Sequence, residues 1–374
     1  MAPAPGIPPK PTPTTDMEPI PLRSITVLIN YERMTSDPLY KGLKLGGSTR
    51  GDRNLSEGIK KILPKIWGSE PESVMRRSVH MFDTDTETGT PSSTNPPATC
   101  SIHPYASVGV KGHSRADLDL IFHETRGQNG CYNATGMYQD VFAVCPEGQQ
   151  VSIQIANEDP VLIDATARMV FEYTLHAPKH DIRSIIQQTS SGSDFSSDDK
   201  LWYFSSGASD SENHCVLAFR HPENSDVFSK ENYFIVDMTR LQYGEAGYGT
   251  YGETYFLGTY EDYPTSMAKI CGELEFRGMT TATTGRADEP ENQVRVQECA
   301  KRAWERWMNR EKEGWCEYCG RGGAELKRCG ACKGRKVWYC CDEHNRKGWK
   351  LHKLTCKSQV NKKPVFGPPR PGVL

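Results

Sequence analysis

Between Cys316 and Cys356 the chain places eight cysteine and histidine residues in four pairs: Cys316-x2-Cys319, Cys329-x2-Cys332, Cys340-x3-His344 and His352-x3-Cys356. No other feature restricts the fold as much. A Cys-x2-Cys turn brings two thiolates onto one tetrahedral ion, with Zn–S near ~2.3 Å, and a pair spaced i, i+4 does the same from one face of a helical turn. Two zinc ions with four ligands each use all eight residues. Seven of the thirteen cysteines lie in this stretch, and in a reducing compartment clustered thiols favour metal over disulfide. A segment of 41 residues holds too small a core to fold alone, and structural zinc supplies about 10–16 kcal/mol in comparable peptides at neutral pH.

The full pattern, C-x2-C … C-x2-C … W-Y-C-x3-H … W-x2-H-x3-C, with Tyr339 and Trp349 in order, resembles the MYND-type zinc finger. The match covers about a ninth of the chain. The resemblance implies interleaved sites: Cys316, Cys319, Cys340 and His344 hold one zinc, and Cys329, Cys332, His352 and Cys356 the other. Spacing by itself permits a sequential arrangement equally well. The sequence departs from the family at His344, where cysteine is usual. Cys341, three residues before His344, also satisfies helical spacing, but the Tyr-Cys landmark falls on Cys340 and leaves Cys341 without a ligand role. Eight protein donors fill both coordination shells, so the zincs are expected to be structural and not hydrolytic.

The rest of the chain is expected to be an α+β protein with a β-rich body. Residues 1–22 carry eight prolines and read as a disordered tail. From 23 to 285, short segments rich in β-branched and aromatic residues ("ITVLINYE", "ADLDLIFHE", "DVFAVCP", "QVSIQIAN", "MVFEYTL", "LWYFSS", "HCVLAFR", "YFIVDMT", "TYFLGTY") read as strands of a sandwich or barrel. Few helices are expected before residue 266. Polar runs at 84–99 and 189–200 read as loops. The Tyr/Gly-rich stretch 242–263 reads as a tight hairpin, since it has no Lys or Arg to meet phosphate. In 288–313, Val296, Cys299, Ala300, Ala303, Trp304 and Trp307 fall three and four apart, one apolar face of a helix that follows Pro290. That helix is expected to dock the finger (316–356) to the body. Residues 357–374 form a proline-rich basic tail.

Charge divides the chain. From residue 301 onward there are 19 Lys+Arg against 7 Asp+Glu, and the remainder carries 26 against 40. Such asymmetry marks a module with its own interaction surface. No apolar run reaches the ~18 residues of a membrane helix, and no secretory apolar core opens the chain, so an intracellular protein with no membrane contact is expected.

The basic finger residues, such as Lys327, Arg328, Lys336, Lys350 and Lys353, raise the possibility of nucleic-acid binding. No Cys2His2 reading helix is present, however, and the resemblance implies a protein-binding adaptor that holds proline-containing peptides, with Trp338 and Trp349 as candidate groove walls. The chain's own "MEPIPLR" and "KKPVFGPPRPGVL" are candidate intramolecular ligands. Asn213-His214-Cys215 superficially resembles the signature of SET-type lysine methyltransferases. It lacks the intervening residue of that signature, precedes the finger and has no Gly-Glu-Glu segment after it. No catalytic residues are assigned, and His123 with Cys131, or His176 with His180, lack a motif that fixes their geometry.

Overall fold

The computed structural model describes residues 18–40, 43–50, 76–84, 113–155, 158–188, 200–223, 226, 229–281, 290–323, 325–332 and 336–356, with five further positions between 60 and 67. The tail before residue 18, nearly all of the polar runs 84–99 and 189–200, and the tail 357–374 lie outside these residues. Both helices and sheets build the body, with a small finger at its C-terminal end.

A five-stranded antiparallel sheet forms the centre, in the order β11 (Phe256–Thr259), β10 (Tyr233–Asp237), β9 (Ser211–Arg220), β6 (Arg168–Pro178), β12 (Cys271–Thr280). Alternation sends Val170, Cys215, Leu217, Phe219 and Val236 to one core, and Phe171, Tyr173, Val216, Ala218 and Ile235 to another. Both faces of the sheet are therefore buried. A second sheet, β2 (Leu43–Ser48), β3 (Arg76–Thr84), β7 (His180–Gln188), β8 (Lys200–Ser206), contains the parallel β3–β7 pair. The third sheet orders β1 (Ile20–Pro21), β4 (Gln150–Ile153) and β5 (Val161–Asp164). Thus the proline-rich segment read as disordered through residue 22 is already paired by Ile20, and Pro21 precedes the first helix. Strands β6 and β7 are separated only by Lys179, with Ala177 turning the corner at φ 48°.

Helices cover most of the first core, joined by Val151, Ile153 and Ile163 of the third sheet. Three segments read as strands are helical: "ITVLINYE" lies in α1 (Leu22–Thr35), "ADLDLIFHE" in α2 (Arg115–Gly127), and "DVFAVCP" supplies the last turn of α3 (Cys131–Val144). Burial accounts for α1. Eleven of its fourteen residues are buried, so no polar face gave the pattern a helical period, and tertiary packing overrode the β-branched composition. For α2 a signal existed. Ser114 and Asp117 form a capping box, each side chain bonded to the other's backbone N–H, the signature of a helix start.

Helix α4 (Asp262–Met267) follows β11, and the Tyr/Gly-rich stretch does not fold into a hairpin of its own. Its strand β11 pairs with β10, while Gly244 and Gly252 take turn positions at φ 83° and 86°. Tyr243, Tyr255 and Tyr263 are buried.

The amphipathic segment forms α5 (Pro290–Met308). Its predicted apolar face is the observed one: Val296, Cys299, Ala300, Ala303 and Trp307 are buried in the core shared with α1 and α3, and Trp304 packs against it. Burial of such side chains contributes roughly 1.5–3 kcal/mol for each large one. The opposite side of the α1–α5 contact is ionic, with Glu32 accepting from Arg302 at 2.8 Å and Arg306 at 3.0 Å. Arg306 also donates to the carbonyl of Gly320 in the finger. The helix thus belongs to the body core and holds the finger as well.

Candidate metal centre

The finger is built from a two-strand ladder, β13 (Lys327–Arg328) with β14 (Trp338–Tyr339), followed by α6 (Asp342–Thr355). The i, i+4 pair His352 and Cys356 lies at the end of α6, and His344 in its first turn, one helical turn after Cys340. Cys341 starts the helix. Its sulfur accepts from the His344 N–H at 3.4 Å, the position in which a side-chain acceptor satisfies an otherwise unpaired helix donor. The cysteine left over by the ligand pattern is therefore the helix cap.

Two groups of donors converge. Cys316, Cys319, Cys340 and His344 form one, and Cys329, Cys332, His352 and Cys356 the other; within each, all donor atoms lie within 4.8 Å of one another. The grouping is interleaved, which spacing alone left open. In the first group Cys340 Sγ is 3.1 Å from His344 Nδ1, Cys319 Sγ is 3.7 Å from Cys340 Sγ, and Cys316 Sγ is 3.7 Å from His344 Nδ1. In the second, Cys332 Sγ is 3.2 Å from His352 Nε2 and 3.6 Å from Cys356 Sγ, and Cys329 Sγ is 4.0 Å from Cys356 Sγ. A tetrahedron of thiolates about zinc has edges of roughly 3.8 Å, from Zn–S of ~2.3 Å. The three S···S separations, 3.6–4.0 Å, fit it.

Electrostatics point the same way. Burial and neighbouring Cys316 push the Cys319 thiol up to about 12. Cys316 itself, in spite of burial, is drawn well below the usual thiol range by hydrogen bonds from Cys319, Cys340 and His344. In the second group burial and Cys356 push Cys332 up to about 12. Each cluster can ionise only in part on its own, and a dication removes that restriction by stabilising every thiolate at once. Two Cys/His groups of this kind make a finger with two structural zinc ions.

The finger is seated on the body. Cys316, Tyr318, Cys319, Val337 and Tyr339 form its small core, against which Tyr31 of α1 packs. Gly320 sits directly on α1 at φ 83°, where a Cβ would lie 2.4 Å from the Tyr31 Cβ. Asp119 of α2, 3% exposed, receives His344 Nε2 at 3.0 Å and Lys347 Nζ at 3.4 Å. Nothing in the sequence singles out Asp119, because only the tertiary fold brings α2 to the finger.

Of the two candidate wall residues, Trp349 is 42% exposed and meets His352 edge-on at 5.5 Å. Trp338 is partly buried and lines a cavity of about 350 Å³ with Trp307, Trp315, Pro19 and Pro21, the last two from the chain's own "MEPIPLR". The other histidine combinations do not assemble: His176 bonds Glu275, His180 bonds Ser78, and His123 is buried. "HCVLAFR" is a strand, as expected. Its His214 pairs with Asp237 at 2.7 Å, and Tyr263 donates to the same carboxylate at 2.8 Å. That network escaped sequence reading because its members lie on three separate elements. Among the described residues no helix is long and apolar enough to cross a membrane.

Comparison with known proteins matches only short stretches of the chain. Mouse Egl nine homolog 1 is 42% identical over 59 residues, 16% of this chain and 14% of that protein. SET domain-containing protein 14 of Caenorhabditis elegans is 48% identical over 46 residues, 12% of this chain and 10% of that protein. The chain thus spans about a seventh or less of the length of these relatives. No solved structure matches it significantly. The family described as MYND finger matches residues 316–356, and with the two interleaved donor groups in place these residues are a MYND finger, a zinc-binding module of protein interaction.

Proposed function

We propose that the chain is an intracellular adaptor: an acidic body (23–285) with the helix at 288–313 carries the finger (316–356), which recruits protein partners through proline-containing segments, with transcriptional regulation as a setting. Cys316, Cys319, Cys340 and His344 hold one zinc, and Cys329, Cys332, His352 and Cys356 the second. What supports this reading is the use of all eight donors for structure. No coordination position is left for a substrate, so the chemistry the finger can perform is recognition. Trp349, half in solvent on α6, offers the flat apolar face that extended proline peptides pack against.

The test is titration of the zinc-loaded protein with proline-containing peptides, beside Trp349→Ala and a Cys329→Ala, Cys332→Ala variant. Binding is expected to fail in both, with two zincs kept only in the first. Salt-dependent micromolar binding of duplex DNA together with indifference to Trp349→Ala would replace protein recognition with nucleic-acid binding.

A further inference from the structure

The first zinc site has a histidine where the family usually has cysteine, and the structure shows what the exchange makes possible. A cysteine offers one donor atom. An imidazole offers two on opposite sides of a rigid ring. In His344, Nδ1 faces the thiols of Cys340 and Cys316 at 3.1 and 3.7 Å, while Nε2 faces away from them, 3.0 Å from Asp119 Oδ2. His344 is fully buried and Asp119 nearly so. Asp119 lies on α2, about two hundred residues before the finger begins.

We propose that Asp119 is the positioning residue of the first zinc site, and that His344 acts as a tether, ligand to the metal by Nδ1 and anchor to the body by Nε2. Asp119 accepts the Nε2 proton, which fixes the tautomer with its lone pair on Nδ1 and turns the ring toward the thiolates. Lys347, 3.4 Å from the same oxygen, offsets the buried charge of the carboxylate. Tyr318 packs on the ring at 4.8 Å and excludes water from it. The second site has a different arrangement, since His352 presents Nε2 to Cys332 from the far end of α6. Through His344 and Asp119 the finger's position on the body is linked to the occupancy of the first zinc site.

This inference rests on the zinc reading above, and a double-mutant cycle separates the two. Zinc affinity is measured in the full chain by chelator competition, with metal content by elemental analysis, for wild type, Asp119→Ala, His344→Cys and the double variant. Expected are two zincs in wild type and in His344→Cys, a 10- to 100-fold weaker hold on one zinc in Asp119→Ala, the usual cost of losing an outer-sphere partner, and no further loss when Asp119→Ala is added to His344→Cys. An equal loss in both backgrounds would mean that Asp119 serves only Lys347 or the fold of α2, and would overturn the proposal while leaving two zincs in place. Fewer than two zincs in wild type would overturn the zinc reading itself. Should Asp119→Ala not fold, Asp119→Asn replaces it in the same cycle. Should neither fold, hydrogen exchange of residues 115–127 in zinc-loaded His344→Cys decides, faster exchange than wild type supporting the tether and equal exchange refuting it.

Discussion

Substituting alanine for Gly320 tests how the finger is attached to α1 without touching a donor. The backbone there sits at φ 83°, which costs an L-residue about 1–2 kcal/mol. The added Cβ would stand 2.4 Å from the Tyr31 Cβ and 2.8 Å from the Val27 carbonyl oxygen, against the backbone of a buried helix that cannot rotate aside. Relief requires the finger to retreat by roughly an ångström, which also lengthens the bond from Arg306 to the Gly320 carbonyl; overpacking of this kind costs about 1–3 kcal/mol. The sum is about 2–5 kcal/mol. Gly323→Ala is the matched control, since its φ is 124° but nothing lies within 4 Å of its Cβ, so only the conformational part is expected. Denaturant unfolding of both variants, with metal content checked at two zincs, isolates the contact as their difference. Equal losses in the two variants would refute the claim that Gly320 seats the finger on α1.

Removing zinc with a chelator is expected to abolish protease resistance in 316–356 while the sheet signal of the body persists, measured by limited proteolysis and circular dichroism. Cys341→Ala should keep both zincs and lose about 1 kcal/mol through the cap of α6, and Cys341→Ser should restore it; loss of a zinc in either would reassign the ligand. The buried His214–Asp237 pair predicts a pH window. Burial disfavours the imidazolium, but Asp237 outweighs it and raises His214 to about 10, while Asp237 is held below the usual carboxylate range, in spite of its burial, by His214 and Arg240. The histidine's contribution is complete below its unfolded value near ~6.5 and is lost as pH rises through about 10. The aspartate's contribution is complete above ~4 and is lost as pH falls further. Denaturant unfolding should show stability falling from about pH 6.5 to about 10 in wild type and not in His214→Gln, which at pH 7 is expected to be about 3–5 kcal/mol less stable.

How much could be read in advance depended on whether the signal was local. The eight donors were legible because metal geometry is written into short spacings, and the α5 face because it alternates with charged residues over about three turns, from Val296 to Trp307. The pairing of donors across the finger was not, since Cys316 to Cys319 meets Cys340 to His344 only after the chain doubles back. Buried α1 resembles a strand in sequence because a helix without a polar face has no visible period, and in α2 the apolar run masks the capping box of Ser114 and Asp117. Asp119, Glu32 and the His214–Asp237 pair are products of tertiary approach. Their residue types are ordinary, and no spacing announces them.

The place of α5 in the core bears on how the protein matures during synthesis. The strands of the three body sheets have emerged by Thr280, yet the faces of α1 and α3 that receive Val296, Cys299, Ala303 and Trp307 stay open to water until residues 290–308 follow. By then the first finger cysteine is only eight residues behind. The first zinc needs Cys340 and His344 as well, which follow Met308 by 32 and 36 residues, so closure of the body can precede capture of either metal. A ribosome stalled before residue 290 would present a sheet with an uncovered apolar helical layer, a substrate for chaperones, and a metal-starved cell would reach the same point with the body closed and the finger still open.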